Sequence, residues 1–178
     1  MANPPKRPVR FELHILPMMR LIDRDHMIEV RPGFDLFSYD VVKARAQRIL
    51  DHLGDRSDPM PPLNYGGPWP EEWIALFQRW KDEGFLRLGS ATAKYQATRD
   101  GELVTLTASG MLPNQNDVAW FDRRTPGENP REYTVFVETP VPPEPGEVPF
   151  DLEETFRDTV SRGIVVHDAA GRHEIPVK

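Results

Sequence analysis

The hydrophobic positions change their period near the middle of the chain. Up to about residue 88 they recur at helical spacing, and beyond it they alternate. Val42, Ala46, Ile49, Leu50 and Leu53 form one helical stripe, with Ser38 placed to cap its start and Gly54 to end it in the left-handed conformation. This predicts a helix over 38–54. A second helix is predicted over 70–83, where Trp73, Ile74, Leu76, Phe77 and Trp80 make a wide apolar face. Pro70 suits its first position, Glu71 and Glu72 suit the positive end of its dipole, and Gly84 follows its last turn. Before these, Phe11, Leu13 and Ile15 alternate like a short strand. Pro17 then opens a helical turn with Met18, Leu21 and Ile22 on one face, and Arg31-Pro32-Gly33 makes a turn. Between the helices lies a loop over 55–69 rich in Pro and Gly, too long for a simple connector.

From residue 89 the alternation predicts seven short strands. They fall at Ala93–Ala97, Val104–Ala108, Val118–Phe121, Tyr133–Thr139, Leu152–Phe156, Gly163–His167 and Arg172–Val177. Arg99-Asp100-Gly101 and Asp168-Ala169-Ala170-Gly171 are hairpin turns, and Pro140–Pro149 is a stiff connection between sheets. The fold class expected is α+β: a disordered Pro-rich arm over 1–10, a small helical domain over 11–88, and an all-β sandwich of immunoglobulin-like type over 89–178.

Composition narrows the chemistry. The absence of Cys excludes disulfides, thiolate zinc sites, iron–sulfur clusters, covalent haem and a Cys nucleophile, and it fits a reducing, cytoplasmic setting. No segment has the apolar core of a secretory signal or the length of a membrane span. Residues 1–88 hold 13 Lys+Arg and 13 Asp+Glu, whereas residues 89–178 hold 9 and 15, so the whole net charge of -6 falls on the second half. An acidic half without a basic stripe argues against nucleic acid as a partner. Neither a G-x-S-x-G elbow nor a Gly-rich phosphate loop occurs.

One stretch carries a family resemblance. Asp40-Val41-Val42-Lys43 opens a helix, Met60-Pro61-Pro62 sits in the following loop, and the run from Gly67 to Gly84 joins an acidic helix start to an apolar centre and Arg79-Trp80. Together these features, over about 35–84, resemble the small cytochrome c-like modules attached to larger bacterial enzymes. In that family, haem is held through two thioethers and an adjacent His. Here the corresponding helix runs from Ala44 to His52 without Cys. The resemblance therefore implies a degenerate, haem-less module with no cofactor, its interior filled by side chains, kept for contacts with a protein partner.

Several residues are candidates for function. Met60 opposite His52 would be the axial pair of a non-covalent haem, although a loop Met packed on Trp69 or Trp73 is the simpler reading. Arg20, Asp23, Arg24, Asp25 and His26 form a polar cluster, in which Arg24, Asp25 and His26 are the candidates for acid–base catalysis. His14, His26, His167 and His173, with Asp25 or Asp168, have no metal-ligand spacing. No metal is expected, with His167 and His173 across the last hairpin the nearest thing to a pair. Trp73 and Trp80 are expected in the core, leaving Trp69 and Trp120 as contacts for a partner or ligand. The function implied is a non-catalytic accessory subunit beside a bacterial oxidoreductase or biosynthetic enzyme. The alternative is a small cofactor-independent enzyme of cyclase or isomerase type with an acid–base site between the domains. A third reading is a small-ligand or carbohydrate binder on the sandwich using Trp120, Phe121 and Tyr133.

Overall fold

The computed structural model describes residues 7–55, 57, 60–62, 67–123 and 130–178. The chain forms two compact units, Met1–Arg87 and Leu88–Lys178. The division lies one residue from the boundary expected from the change of hydrophobic period.

The first unit is helical. Phe11–Ile15 is a single π-helical turn followed by a 3₁₀ turn, Leu16–Met18. The expected strand is absent here. Phe11 and Ile15 lie four residues apart, so one helical turn puts both on the buried side. Helix α1 spans Leu21–Val30, α2 Tyr39–Ala44, α3 Ala46–Gly54 and α4 Glu71–Asp82. The single helix expected over 38–54 is thus two, broken at Arg45, and Ser38 caps the first by accepting from Val41 N–H. Gly54 is the last residue of α3 and does not take a left-handed conformation, whereas Gly84 after α4 does, with φ of 87°.

The core of this unit gathers around Trp80, which is fully buried. Its ring lies 5.5 Å from Phe11, 5.4 Å from Phe77, 5.0 Å from Phe85 and 6.1 Å from Tyr39. Its indole N–H donates to the Leu86 carbonyl at 2.8 Å, so the one polar atom of a large ring is satisfied. Ile15, Val42, Leu50, Leu53 and Trp69 close the cluster.

The expected arm needs correction at its inner end, while residues 1–6 lie outside the described residues. Val9 is 1% exposed. Its N–H donates to the Glu83 carboxylate at 2.7 Å, and the Arg79 guanidinium donates to the Arg7 carbonyl at 2.7 Å. Residues 7–10 are therefore fastened to the end of α4.

The described residues of the second unit form seven strands, as the alternation predicted: β1 Ala93–Asp100, β2 Leu103–Asn114, β3 Val118–Arg123, β4 Arg131–Glu138, β5 Pro145–Arg157, β6 Gly163–Asp168 and β7 Gly171–Pro176. They form two sheets, ordered β1-β2-β5 and β3-β4-β6-β7. The inward residues Ala97, Val104 and Leu106 of one sheet meet Tyr133, Val135, Ile164 and Val166 of the other, which makes a sandwich. At one corner Lys178 N–H donates to Ala97 and Arg99 N–H to Lys178, so the chain end pairs with β1. One pairing departs from the immunoglobulin arrangement. β4 and β6 run parallel, whereas immunoglobulin sheets are antiparallel throughout. The Pro-rich connection is also shorter than expected, because β5 already begins at Pro145.

Candidate functional site

The polar cluster on α1 does not assemble an acid–base centre. Arg24 turns away to Asp35, with Nε to Oδ1 at 2.7 Å and Nη2 to Oδ2 at 3.0 Å, and its guanidinium stacks on Phe37 at 5.0 Å. The bidentate hydrogen bonds from Arg24 hold the Asp35 carboxyl below its ordinary value. Arg20 makes a similar pair with Asp23, at 2.7 and 2.6 Å. Asp25 and His26 are exposed. Arg20–Asp23 is a pair within the start of the helix itself, and Arg24–Asp35 ties the helix to the segment after it, both at a water-accessible surface where such pairs contribute little. Asp35→Ala is therefore expected to cost only about 0.5 kcal/mol in urea unfolding.

What is distinctive about α1 is its outward face. The helix buries none of its residues, and Leu21, Ile22, Ile28 and Val30 are all exposed, Leu21 at 59%. Leu21, Ile22 and Ile28 share one side with Asp25 and Glu29, since positions i, i+1, i+4, i+7 and i+8 fall on one face of a helix. A ten-residue helix is marginal by itself in water, so this one depends on its few anchors and on whatever covers that face.

The tryptophans are placed differently from the expectation. Trp80 is core, as expected. Trp69, expected as an exposed contact, is 8% exposed and packs edge-on against Trp73 at 5.7 Å and Phe77 at 6.4 Å. Trp73, expected in the core, is 39% exposed. The reason is geometric: Trp69 precedes α4 and folds back over it, taking the inner place. Met60 is exposed, and so is His52. The residues present do not fit a haem, because the two axial candidates lie at the surface and the centre of the unit is filled by Trp80 and its ring neighbours.

His167 and His173 do not converge either. In the β6/β7 register His167 opposes Arg172 and His173 opposes Val166, so the two imidazoles emerge on opposite faces of the sheet. His167 Nε2 lies 3.2 Å from Glu132 on the outer face. His173 faces inward, with Nε2 2.8 Å from Asp168 Oδ1. No group of three metal-ligating His, Asp or Glu side chains occurs among the described residues.

The inner pairing belongs to a cluster of which the sequence reading named Asp168 and His173, as metal candidates, and missed Tyr95. The Asp168 carboxylate is 1% exposed and accepts from the Tyr95 hydroxyl at 2.7 Å, from His173 and from the Ala170 N–H at 2.8 Å. Burial disfavours its charge, yet the hydrogen bonds from Tyr95, His173 and Ala170 outweigh it and leave the carboxyl below its ordinary value. Burial and the adjacent carboxylate push the Tyr95 phenol up. Because Tyr95 lies on β1 and the other two on β6 and β7, this cluster ties one sheet to the other. A comparable arrangement holds the segment after β5. Asp158 accepts from Ser161 N–H at 2.8 Å and Val160 N–H at 2.9 Å, with Arg131 3.5 Å away. Burial opposes its charge, but these contacts bring its carboxyl down to about 2.

Of the three aromatic residues proposed for a ligand face, Phe121 and Tyr133 point into the core and Trp120 points out. On the outer face Trp120 pairs in register with Phe136, the rings 6.1 Å apart. No family model, curated protein or solved structure matches the chain. Among the described residues no helix is long and apolar enough to cross a membrane.

Proposed function

We propose that the protein is a non-catalytic accessory subunit that docks onto a partner enzyme through the outer face of α1. One observation carries this reading: Leu21, Ile22 and Ile28 stand exposed on a helix with no buried residue. Helix-in-groove docking uses anchors at this spacing. Asp25 and Glu29 on the same face define the partner's chemistry, an apolar groove with a Lys/Arg rim. The haem-less module implied by the cytochrome c-like resemblance is consistent with the side-chain-filled interior around Trp80.

The experiment is co-purification from the native host, followed by reconstitution with the isolated partner. A Leu21→Asp/Ile22→Asp variant is expected to weaken the reconstituted complex at least ~30-fold, the effect of losing about 2 kcal/mol of anchor contacts. Val141→Asp, at an exposed apolar position in the second unit, is the control and is expected to bind normally. Undiminished binding by the α1 variant, or self-association as the only interaction, overturns the reading.

A further inference from the structure

The outer face of the four-stranded sheet carries a second, independent arrangement. The strand registers place Asp122 of β3, Thr134 of β4, His167 of β6 and Arg172 of β7 in one row across all four strands. With strands about 4.8 Å apart, the row spans ~14 Å. On one side of it lies the Trp120–Phe136 ring pair, both rings half-buried. On the other side Val165, only 2% exposed, lies between Glu132 and Glu174 in register. There a groove of about 420 Å³ opens, lined by Pro130, Arg162, Val165, Arg172, Glu174 and Pro176 among others.

The charges on this face are partly paired. Glu132 lies beside His167 at 3.2 Å, and Arg172 donates to Glu174 at 2.5 Å. Asp122 has no ion pair or hydrogen bond among the described residues, and desolvation pushes its carboxyl up. The surface thus offers acceptors and donors side by side, next to aromatic rings, with Asp122, Glu132 and Glu174 set against Arg162 and Arg172.

We propose that this face binds a neutral saccharide. The rings of Trp120 and Phe136 stack on the apolar face of one sugar ring, and Asp122, Thr134 and Arg172 hydrogen-bond the hydroxyls of that unit and its neighbour along the row. A sugar is the ligand class that matches both properties. Each hydroxyl donates and accepts, so it pairs equally with carboxylate and guanidinium, and the C–H face of the ring is apolar. A polyanion would meet Asp122, Glu132 and Glu174, and a cation would meet Arg162 and Arg172. The net charge of -6 carried by the second half also fits a neutral ligand better than an anionic one.

Affinity electrophoresis of the full chain in gels containing soluble xylan, mixed-linkage β-glucan, glucomannan or starch tests this. Retardation in at least one gel is expected. Trp120→Ala is expected to weaken binding about 10-fold, the factor given by 1.4 kcal/mol, and Asp122→Asn to weaken it severalfold. Arg172→Ala changes an exposed side chain, so it tests the row without risk to the fold. Absence of retardation in all four gels overturns the proposal. So does retardation that Trp120→Ala and Arg172→Ala leave unchanged, or that appears only with an acidic polysaccharide such as alginate. None of these outcomes bears on α1, which belongs to the other unit.

Discussion

Trp80→Ala should unfold the helical unit. Trp80 is fully buried and meets Phe11, Tyr39, Phe77 and Phe85, residues drawn from the first turn, α2, α4 and the segment after it. Truncation opens a cavity that several rigid rings cannot all collapse into, and a buried Trp or Phe cut to Ala costs about 3–5 kcal/mol. It also leaves the Leu86 carbonyl without its indole donor. A loss of that size is comparable to the whole stability of a unit this small. Thermal unfolding followed by far-ultraviolet circular dichroism should lose the helical transition while the β-sheet transition persists. Trp73→Ala, on the same helix but at an exposed ring, should leave the helical transition within a few degrees of the native one.

The second large effect belongs to Asp168. Its carboxylate is the hub between Tyr95 on one sheet and His173 on the other, and it is almost wholly enclosed. Asp168→Ala strands two polar partners at the sheet-to-sheet junction and should cost the sandwich about 3 kcal/mol in urea unfolding. The pH dependence follows from the direction of the shift. A carboxyl whose folded pKa is depressed adds stability above its unfolded value, and that stability disappears as pH falls through the folded one. Asp168 and Asp158 are both depressed, Asp158 to about 2. The sandwich should therefore hold its stability down to the ordinary carboxylate range and lose it between there and about pH 2. Asp168→Asn should flatten that acid limb. A variant with the native acid limb would show that the carboxylate's charge plays no part in holding the sheets together.

The strands were legible because inward and outward residues alternate, as in Val104, Leu106 and Ala108, and each hairpin has its turn residues beside it. Helix α4 was legible from Pro70 through Gly84 for the same local reasons. What stayed hidden depends on partners distant in sequence. Helix α1 has almost no apolar stripe toward the core, because Arg24–Asp35 ties it to the next segment instead, so beyond the turn expected at Met18, Leu21 and Ile22 no periodicity announces it. Phe11-Leu13-Ile15 satisfies both the strand period and the four-residue helical spacing, and only packing against α4 decides between them. The parallel pairing of β4 with β6 brings together segments separated by β5, which no local signal records. The Tyr95–Asp168–His173 cluster joins residues more than seventy positions apart. His173 and Asp168 were named, but as metal candidates with His167, and the register places His167 on the other face. On the candidate faces, the sequence drew attention to α1 through its charges, whereas its apolar outer side is the feature that the structure brings forward. Trp120 was named as a contact together with Phe121 and Tyr133, which face the core, and its outward ring partner Phe136 was not named.

Amide hydrogen exchange across residues 21–30 tests the docking claim most directly, measured in the protein alone and in the complex purified from its native host. The account predicts rapid exchange in the free protein, where the helix buries no side chain, and protection increased at least ~30-fold in the complex. Equal exchange in the two states, with protection gained elsewhere on the chain, would contradict it.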